Sequence, residues 1–410
     1  MFKREVDVLF IVEHADREVG TLSNIANRLA SVAGLRSEIL SVNFHLQKLS
    51  RIKPKLVVLP FVLCETDWPI SLLHNLYGDG VVYLNFNWEQ YLAPVNAEYK
   101  KPKDSFVRDV LKHIAWTEEF KSYLMENGVA EKNITVTGNA AYCLMRQLKS
   151  TEKDLRSMLA EQYGLDEARD WLFMPINYGW AFSPDKLINE KIRKGYDSEK
   201  AWGYRDYSVK CIREFLPFIT EVAEKSDYEI ILRPHPSITI EDYQSVFKEF
   251  VGYVPKNIHL NKGYTIGEWI VSSQLVGSSW STSVWDAYNI GKPVFLFTPY
   301  EMPEWLLVWW NKRVSNVKNY QEFLALSESK TFSGSDENKN IDEVKNVIDA
   351  IKIMLEEANQ ISQSSTKGLM TIIREKKVIA SLINNLLMTF YPSKVKKSLS
   401  LDYFKHIRIR

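Results

Sequence analysis

Short apolar runs alternate along this chain with longer stretches in which apolar residues recur every three to four positions. Runs of four to seven β-prone residues bounded by Gly, Pro or charge read as strands, and the longer spacing reads as amphipathic helix. Val6–Val12 is a first strand, followed by a helix from Thr21 with Leu22, Ile25, Leu29 and Val32 on one face. The pattern predicts further strands at Glu38–Val42, Lys55–Phe61, Val81–Phe86, Ile114–Trp116 and Asn133–Thr137. Between them it predicts helices at Leu46–Ile52, Trp68–Tyr77, Ser105–Lys112 and Thr117–Asn127. Lys149–Asp170 is charged and helical, with no strand. The alternation then restarts, with strands at Trp171–Ile176, Ile230–Leu232, Asn257–Leu260, Leu275–Gly277 and Pro293–Phe297. Helices at Val209–Lys225, Ile240–Phe250 and Thr265–Val271 separate them, and a polar insertion covers Ser183–Tyr207. Strands and helices of this size in alternation imply parallel, doubly wound sheets. The expected fold class is α/β, with parallel-sheet domains at residues 1–148 and 149–330 and C-terminal helices with a basic tail over 331–410.

Three later stretches break the alternation. Pro303–Trp310 (PEWLLVWW) is apolar enough for a buried helix, a domain-crossing element or a peripheral membrane patch, ranked in that order. Ser327–Asn340 reads as a loop, and Ile341–Ala358 and Gly368–Phe390 as amphipathic helices. The tail Lys394–Arg410 carries six Lys/Arg against one Asp, which suits either a solvated terminus or anionic lipid.

Composition narrows the function classes. At 410 residues the chain has room for two or three domains, and 45% hydrophobic content with 25% charged residues is that of a globular protein. A net charge of +1 gives no electrostatic case for nucleic acid. Cys64, Cys143 and Cys211 are widely spaced, so neither a disulfide framework nor a zinc site is expected, and each reads as a small buried apolar residue. The N-terminal apolar run is too short for a signal peptide or a membrane span, and no segment reaches a spanning length. The expected location is cytoplasmic, with any contact at the inner face of the membrane peripheral. The 12 tryptophans concentrate in expected loops, where they would close a cleft or pack between domains, and aromatic platforms also suit sugars.

Two stretches carry the chemistry. Tyr228–Ser237 (YEIILRPHPS) is a strand ending in Arg233-Pro234-His235-Pro236-Ser237. Ligands of open α/β sheets bind at such strand ends. Pro234 and Pro236 stiffen the backbone that carries Arg233 and His235, and a guanidinium fork beside an imidazole suits a phosphate. A proline-rich turn with a capping histidine fits the same residues. The second stretch, Ser278 to Ser283, places five hydroxyl residues in six between a strand and a helix. A helix N-terminus offers free N–H groups to phosphate, and Ser281, Thr282 and Ser283 exceed what one cap needs. Asn177 and Gly179 follow another strand end, where Gly179 permits close backbone approach or simply makes a turn. Asp286, on the helix after the hydroxyl turn, would meet a ribose or face solvent.

The ordered motifs over residues 6 to 297 resemble GT-B glycosyltransferases, which have two Rossmann-like domains around a central cleft. More specifically they resemble bacterial surface-carbohydrate biosynthesis proteins related to capsule and O-antigen Kdo transferases and to teichoic-acid glycerophosphotransferases. The pieces are Glu13–Glu18, Tyr83–Glu89, Val136–Asn139, Pro175–Gly179, Leu232–Ser237 and Ser281–Gly291. The chain departs where the family often has Asp-Glu-Glu and Gly-Asn-Pro-Arg, carrying Asn87-Trp88-Glu89 and Gly138-Asn139-Ala140-Ala141. The resemblance implies that Arg233, His235, Pro236, Ser281, Thr282, Ser283, Asn177, Gly179 and Asp286 bind a cytidine nucleotide. It implies an acceptor-side first domain, a donor-side second domain, a nucleotide-activated sugar as co-substrate and a glycan or glycolipid acceptor. No cofactor is expected. No metal-binding Asp-x-Asp motif stands in the sequence, so a metal-independent mechanism is favoured. Transfer also needs a carboxylate base or nucleophile. Asp16 and Glu89 follow expected strand ends of the first domain, and Asp206 is a donor-side alternative if configuration is retained. Each competes with a plain surface or loop-capping role. The expected function is sugar transfer from a cytidine-nucleotide donor, with a Kdo-like sugar first. CDP-glycerol glycerophosphotransfer and a catalytically silent scaffold are the alternatives, and a nucleotide-sugar epimerase is a more distant one.

Overall fold

A computed structural model describes residues 3–193, 195–235, 238–334 and 341–360, together with 379, 382 and 383. The chain divides into two compact units. Met1–Gln90, Lys100–Leu144 and Asp342–Arg410 form the first, and Tyr91–Tyr99 with Met145–Ile341 forms the second. The expected boundary after residue 148 lies four residues beyond the one between Leu144 and Met145, and of the described residues after 330, those up to Ile341 belong to the second unit and 342–360 to the first.

The first unit is built on β1 (Arg4–Ile11), β2 (Ser37–Leu40), β3 (Ile52–Leu59), β4 (Val82–Asn85), β5 (Lys112–Ala115) and β6 (Ile134–Val136). All pair in parallel, in the order β2-β1-β3-β4-β5-β6. Six consecutive residues of β1 are buried because both sheet faces are covered. Val8 and Phe10 point into one apolar layer, Leu9 and Ile11 into the other. The helix Ala15–Ala33 lays Val19, Leu22, Ile25 and Leu29 on the first layer and ends at Gly34, whose φ of 63° lets its N–H return to the Ala30 carbonyl. The helix Glu343–Ala358 joins the same layer through Val347, Ile348, Ile351 and Met354. Asp342 caps it by accepting the Lys345 N–H at 2.9 Å, and Arg28 grips that carboxylate with two bonds of 2.7 and 2.8 Å. Those contacts draw the late helix into the first unit.

The second unit carries β7 (Trp171–Ile176), β8 (Glu229–Pro234), β9 (Ile258–Leu260), β10 (Leu275–Ser278), β11 (Val294–Phe297) and β12 (Ser315–Val317). They too are all parallel, in the order β12-β11-β10-β7-β8-β9. Two six-stranded parallel sheets with surrounding helices make this the expected α/β fold.

Local differences have local causes. The polar insertion is helical, over Asp185–Arg193 and again from Ser198, where one helix runs unbroken to Lys225. Asp197 caps that helix, and Ala201, Tyr204, Ser208, Cys211 and Phe215 form a buried stripe that its many charged residues conceal in the sequence. Ser105–Lys112 shrinks to a wide turn of helix at Phe106–Val110. Pro303–Trp310 is not a buried helix: it forms two short turns, Glu304–Leu306 and Trp309–Arg313, joined by extended Leu307 and Val308. Trp310 is buried while Trp309 is 39% exposed. Cys211 is buried as expected, whereas Cys64 and Cys143 are only half-buried. Tryptophans pack inside the units: Trp180, Trp280 and Trp305 surround Tyr204 in the second, and Trp88 meets Trp116 edge-on in the first. Residues 91–99 complete that second-unit cluster with Ala93 and Val95. Among the described residues no helix is long and apolar enough to cross a membrane. The expected Gly368–Phe390 helix and basic tail lie outside the described residues, apart from 379, 382 and 383.

Candidate functional site

In the second unit the strand order reverses between β7 and β10, and open α/β sheets bind ligands outside the strand ends at such a point. The sequence candidates gather there. Asn177 and Gly179 follow β7, the Ser281–Ser283 turn follows β10, and Arg233 and His235 close β8, the other neighbour of β7. Adjacent parallel strands lie about 4.8 Å apart, so these three loops stand side by side at one edge. Register confirms their level: Pro175 pairs with Arg233, and Ser278 Oγ donates to the Pro175 carbonyl at 2.6 Å.

The hydroxyl-rich turn splits into two functions. Ser278 and Ser279 are buried, and Ser279 Oγ shares a hydrogen bond with the buried Tyr178 hydroxyl, tying the β10 loop to the β7 loop. Ser281 caps the helix Thr282–Asn289 by accepting the Ser283 N–H at 3.3 Å. Its own hydroxyl donates to Ser283 Oγ at 3.2 Å. Thr282 is exposed, and Ser281 and Ser283 are half-buried. Two of the five hydroxyls are therefore structural, leaving three at the helix start. Asn177 Oδ1 is buried without a hydrogen-bond partner. Asp286 is half-buried in the second turn of that helix. Gly179 opens the short turn Gly179–Phe182. His235 is exposed, and Arg233 Nη1 donates to the Gly263 carbonyl at 2.6 Å. Pro236 lies outside the described residues.

The first unit has its own reversal, between β1 and β3, and a charged cluster lies beyond β1. Glu18 is fully buried and accepts the Glu13 N–H at 2.9 Å and Arg17 Nη2 at 3.0 Å. Arg17 Nη1 reaches Glu89 at 3.3 Å, and Lys100 pairs with the same carboxylate. Desolvation alone would raise the Glu89 pKa, but Lys100 and Arg17 outweigh it and hold it at about 2. So paired, Glu89 is a weak proton acceptor. Glu13 is exposed, yet it is shifted the other way: crowding within the cluster strips away part of its water and, with the nearby Glu18 and Glu89 charges, raises its pKa against the pull of His14 and Arg17. Asp16 is exposed in the first turn of the Ala15–Ala33 helix. Sequence reasoning singled out Asp16 and passed over Glu13; its signal was position, two residues beyond β1. The loop bearing Glu89 is anchored by Asn87, whose left-handed φ of 52° turns its Nδ2 onto the Ile114 carbonyl at 3.1 Å.

Asp206 lies on the Ser198–Lys225 helix, not in a loop that follows a strand. It is exposed midway along Ser198–Lys225, beside a cavity of about 350 Å³ lined by Val209, Lys210, Arg213, Glu214 and Tyr300. None of the nucleotide-site candidates lines that cavity. Among the described residues no group of three or more His, Cys, Asp or Glu is arranged to hold a metal ion.

Several solved structures share the fold. UDP-GlcNAc 2-epimerase from Neisseria meningitidis, bound to UDP-GlcNAc, is 15% identical with a TM-score of 0.53, over 87% of this chain and 100% of that one. The chain has a GT-B fold. The epimerase of Methanocaldococcus jannaschii, in complex with UDP-GlcNAc and UDP, is 14% identical with a TM-score of 0.53, over 85% of this chain and 99% of that one. The wall teichoic acid polymerase TagF is 11% identical with a TM-score of 0.48, over 98% and 90%. No family model and no curated protein matches the sequence. At these identities the GT-B likeness is one of fold.

Proposed function

We propose that this GT-B chain is an enzyme of surface-polysaccharide assembly that transfers a sugar from a cytidine-nucleotide donor to a glycan or glycolipid acceptor. A Kdo-like sugar is the leading donor group. The observation that carries the reading is the gathering of Asn177, the Ser281–Ser283 turn and Arg233/His235 at the ends of three adjacent strands flanking a topological reversal. A helix N-terminus, three hydroxyls, a guanidinium and an imidazole supply what a leaving phosphate needs. Structures of the same fold bound to UDP-GlcNAc support a nucleotide sugar as the ligand. On the first unit, Glu13 has the raised pKa that suits a general base, with Asp16 as its neighbour. Glu89, held by Lys100 and Arg17, shapes the local charge. Asp206 enters only if transfer retains configuration. The reaction runs without metal, in the cytoplasm, with peripheral contact at the inner membrane face.

The test is calorimetric titration with CMP, CDP, UDP and GDP in the presence of a chelator. Preference for CMP supports transfer of a CMP-activated acidic sugar. Preference for CDP points to glycerophosphotransfer, and preference for UDP to a hexosyltransferase or epimerase. Binding of none refutes the reading and leaves a silent scaffold. His235→Ala should weaken binding at least about tenfold, the size of a lost charge-assisted contact, while the thermal midpoint stays put.

A further inference from the structure

The Ser198–Lys225 helix has two contrasting sides. Cys211, Phe215 and Phe218 point inward, into the apolar layer that holds Leu172, Met174 and Leu232 of the sheet. Spacings of four and three residues put Asp206, Lys210 and Arg213 on the opposite side, where all three are exposed, with Glu214 beside them. Tyr300 arrives from the loop after β11, three residues beyond Phe297. With Val209 these residues line the cavity of about 350 Å³, a size usual for a small-ligand site.

The wall of that cavity is organised. Tyr300 Oη donates to Glu214 Oε1 at 2.8 Å, and Lys210 Nζ stands 3.6 Å from the centroid of the Tyr300 ring. Tyr207 Oη donates to the Tyr300 carbonyl at 3.4 Å. The ring is thus held at its tip, its face and its backbone. Arg213 leans toward the Phe250 ring, 5.7 Å from its centroid. Among the described residues neither Asp206 nor Arg213 enters an ion pair.

Charge decides the ligand class. Asp206 and Glu214 oppose Lys210 and Arg213, so the lining has no formal net charge. An anion would meet the two carboxylates, a cation would meet Lys210 and Arg213, and a wholly apolar ligand would strip water from all four. A neutral polyhydroxylated ring avoids these costs. Its hydroxyls both donate and accept, so they answer a carboxylate and a guanidinium alike, and its C–H faces can lie against Tyr300 and Val209. A zwitterionic amino acid also balances the charge, but it carries its own charges close together. Asp206 and Arg213 stand two helical turns apart, roughly 10 Å along the axis.

We propose that this cavity binds a saccharide unit, separately from the nucleotide-site candidates, none of which lines it. Assigning that unit to the acceptor glycan rests on the glycosyltransfer reading above; the saccharide site itself does not.

Wild type, Arg213→Ala and Tyr300→Leu are titrated by saturation-transfer NMR with the methyl glycosides of glucose, galactose, mannose and N-acetylglucosamine, and with alanine. Calorimetry with CMP, CDP, UDP and GDP runs alongside. Wild type should bind at least one glycoside, and both variants should bind it about 10-fold or more weakly with nucleotide affinity unchanged. Arg213 is exposed on a helix that tolerates alanine, so Arg213→Ala keeps the test decisive should Tyr300→Leu fail to fold. Equal glycoside binding by wild type and Arg213→Ala overturns the inference. So does wild type that binds alanine but no glycoside, or none of these probes. A parallel loss of nucleotide binding in Arg213→Ala overturns it too, because the cavity would then belong to the nucleotide site. Wild type that binds a glycoside but no nucleotide refutes the functional reading and keeps the saccharide site, so the two failures are distinct.

Discussion

His113 should make the first unit lose stability in mild acid. It is 1% exposed, the second residue of β5. Its Nε2–H donates to the Val107 carbonyl at 2.8 Å, and its Nδ1 accepts from Asn87 Nδ2 at 3.4 Å. A proton on Nδ1 would face the Asn87 amide donor. Burial lowers the His113 pKa from 6.5 to about 4, and the Val107 bond recovers only part of the loss. The unfolded chain therefore takes up the proton first as pH falls, so stability is intact above about 6.5 and declines toward about 4. With those two values the linkage relation gives almost no loss at pH 7 and a loss of about 2 kcal/mol at pH 5. His113→Gln keeps a donor for the Val107 carbonyl but does not titrate. Guanidinium unfolding of both proteins at pH 7, 6 and 5 isolates the histidine as a difference of differences. Wild type should lose about 2 kcal/mol more than the variant between pH 7 and 5. Parallel pH profiles for the two proteins would refute the reasoning. They would mean that the ring is protonated in the fold or that the site opens to water.

Two further outcomes bear on the sites. At Gly277, in β10 beside the strand reversal, an added Cβ would lie 2.5 Å from Phe295 Cε1 and 2.6 Å from Met174 Sδ. Gly277→Ala should therefore cost about 1–3 kcal/mol in a denaturation midpoint, and a neutral result would show that the β7–β10 contact yields easily. Glu13→Gln should leave nucleotide titrations unchanged, cut sugar transfer about 100-fold or more, and remove the acid limb from the pH–rate profile of the residual activity. Retained transfer would hand the base role to Asp16.

Much of the site was legible in the sequence because strand ends announce themselves. The Ile230–Leu232 run stops at Arg233-Pro234-His235, and Leu275–Gly277 stops at a block of hydroxyls. Period and punctuation alone place such residues at the carboxyl edge of a parallel sheet. The helix from Ser198 was illegible for the converse reason: its polar face holds so many charges that the apolar stripe through Tyr204, Ser208 and Cys211 does not stand out. Pro303–Trp310 misled in the other direction, since apolar content says that residues are buried and not in what conformation. Glu13 stood out only by its position after β1, because what distinguishes it is the set of charges around it.

The sequence by itself determined the α/β class, most of the strands and the identity of the residues at their ends, all of which follow from local periodicity and backbone preference. The tertiary structure decided which strands are neighbours. That places Asn177 between the β8 and β10 loops, holds Arg233 on the Gly263 carbonyl, and pairs Glu89 with Lys100 and Arg17. It also decided that residues 91–99 pack in the second unit and the helix Glu343–Ala358 in the first. Those outcomes depend on burial shared by segments far apart in the chain, and on charges whose effect exists only once the fold has removed the water between them.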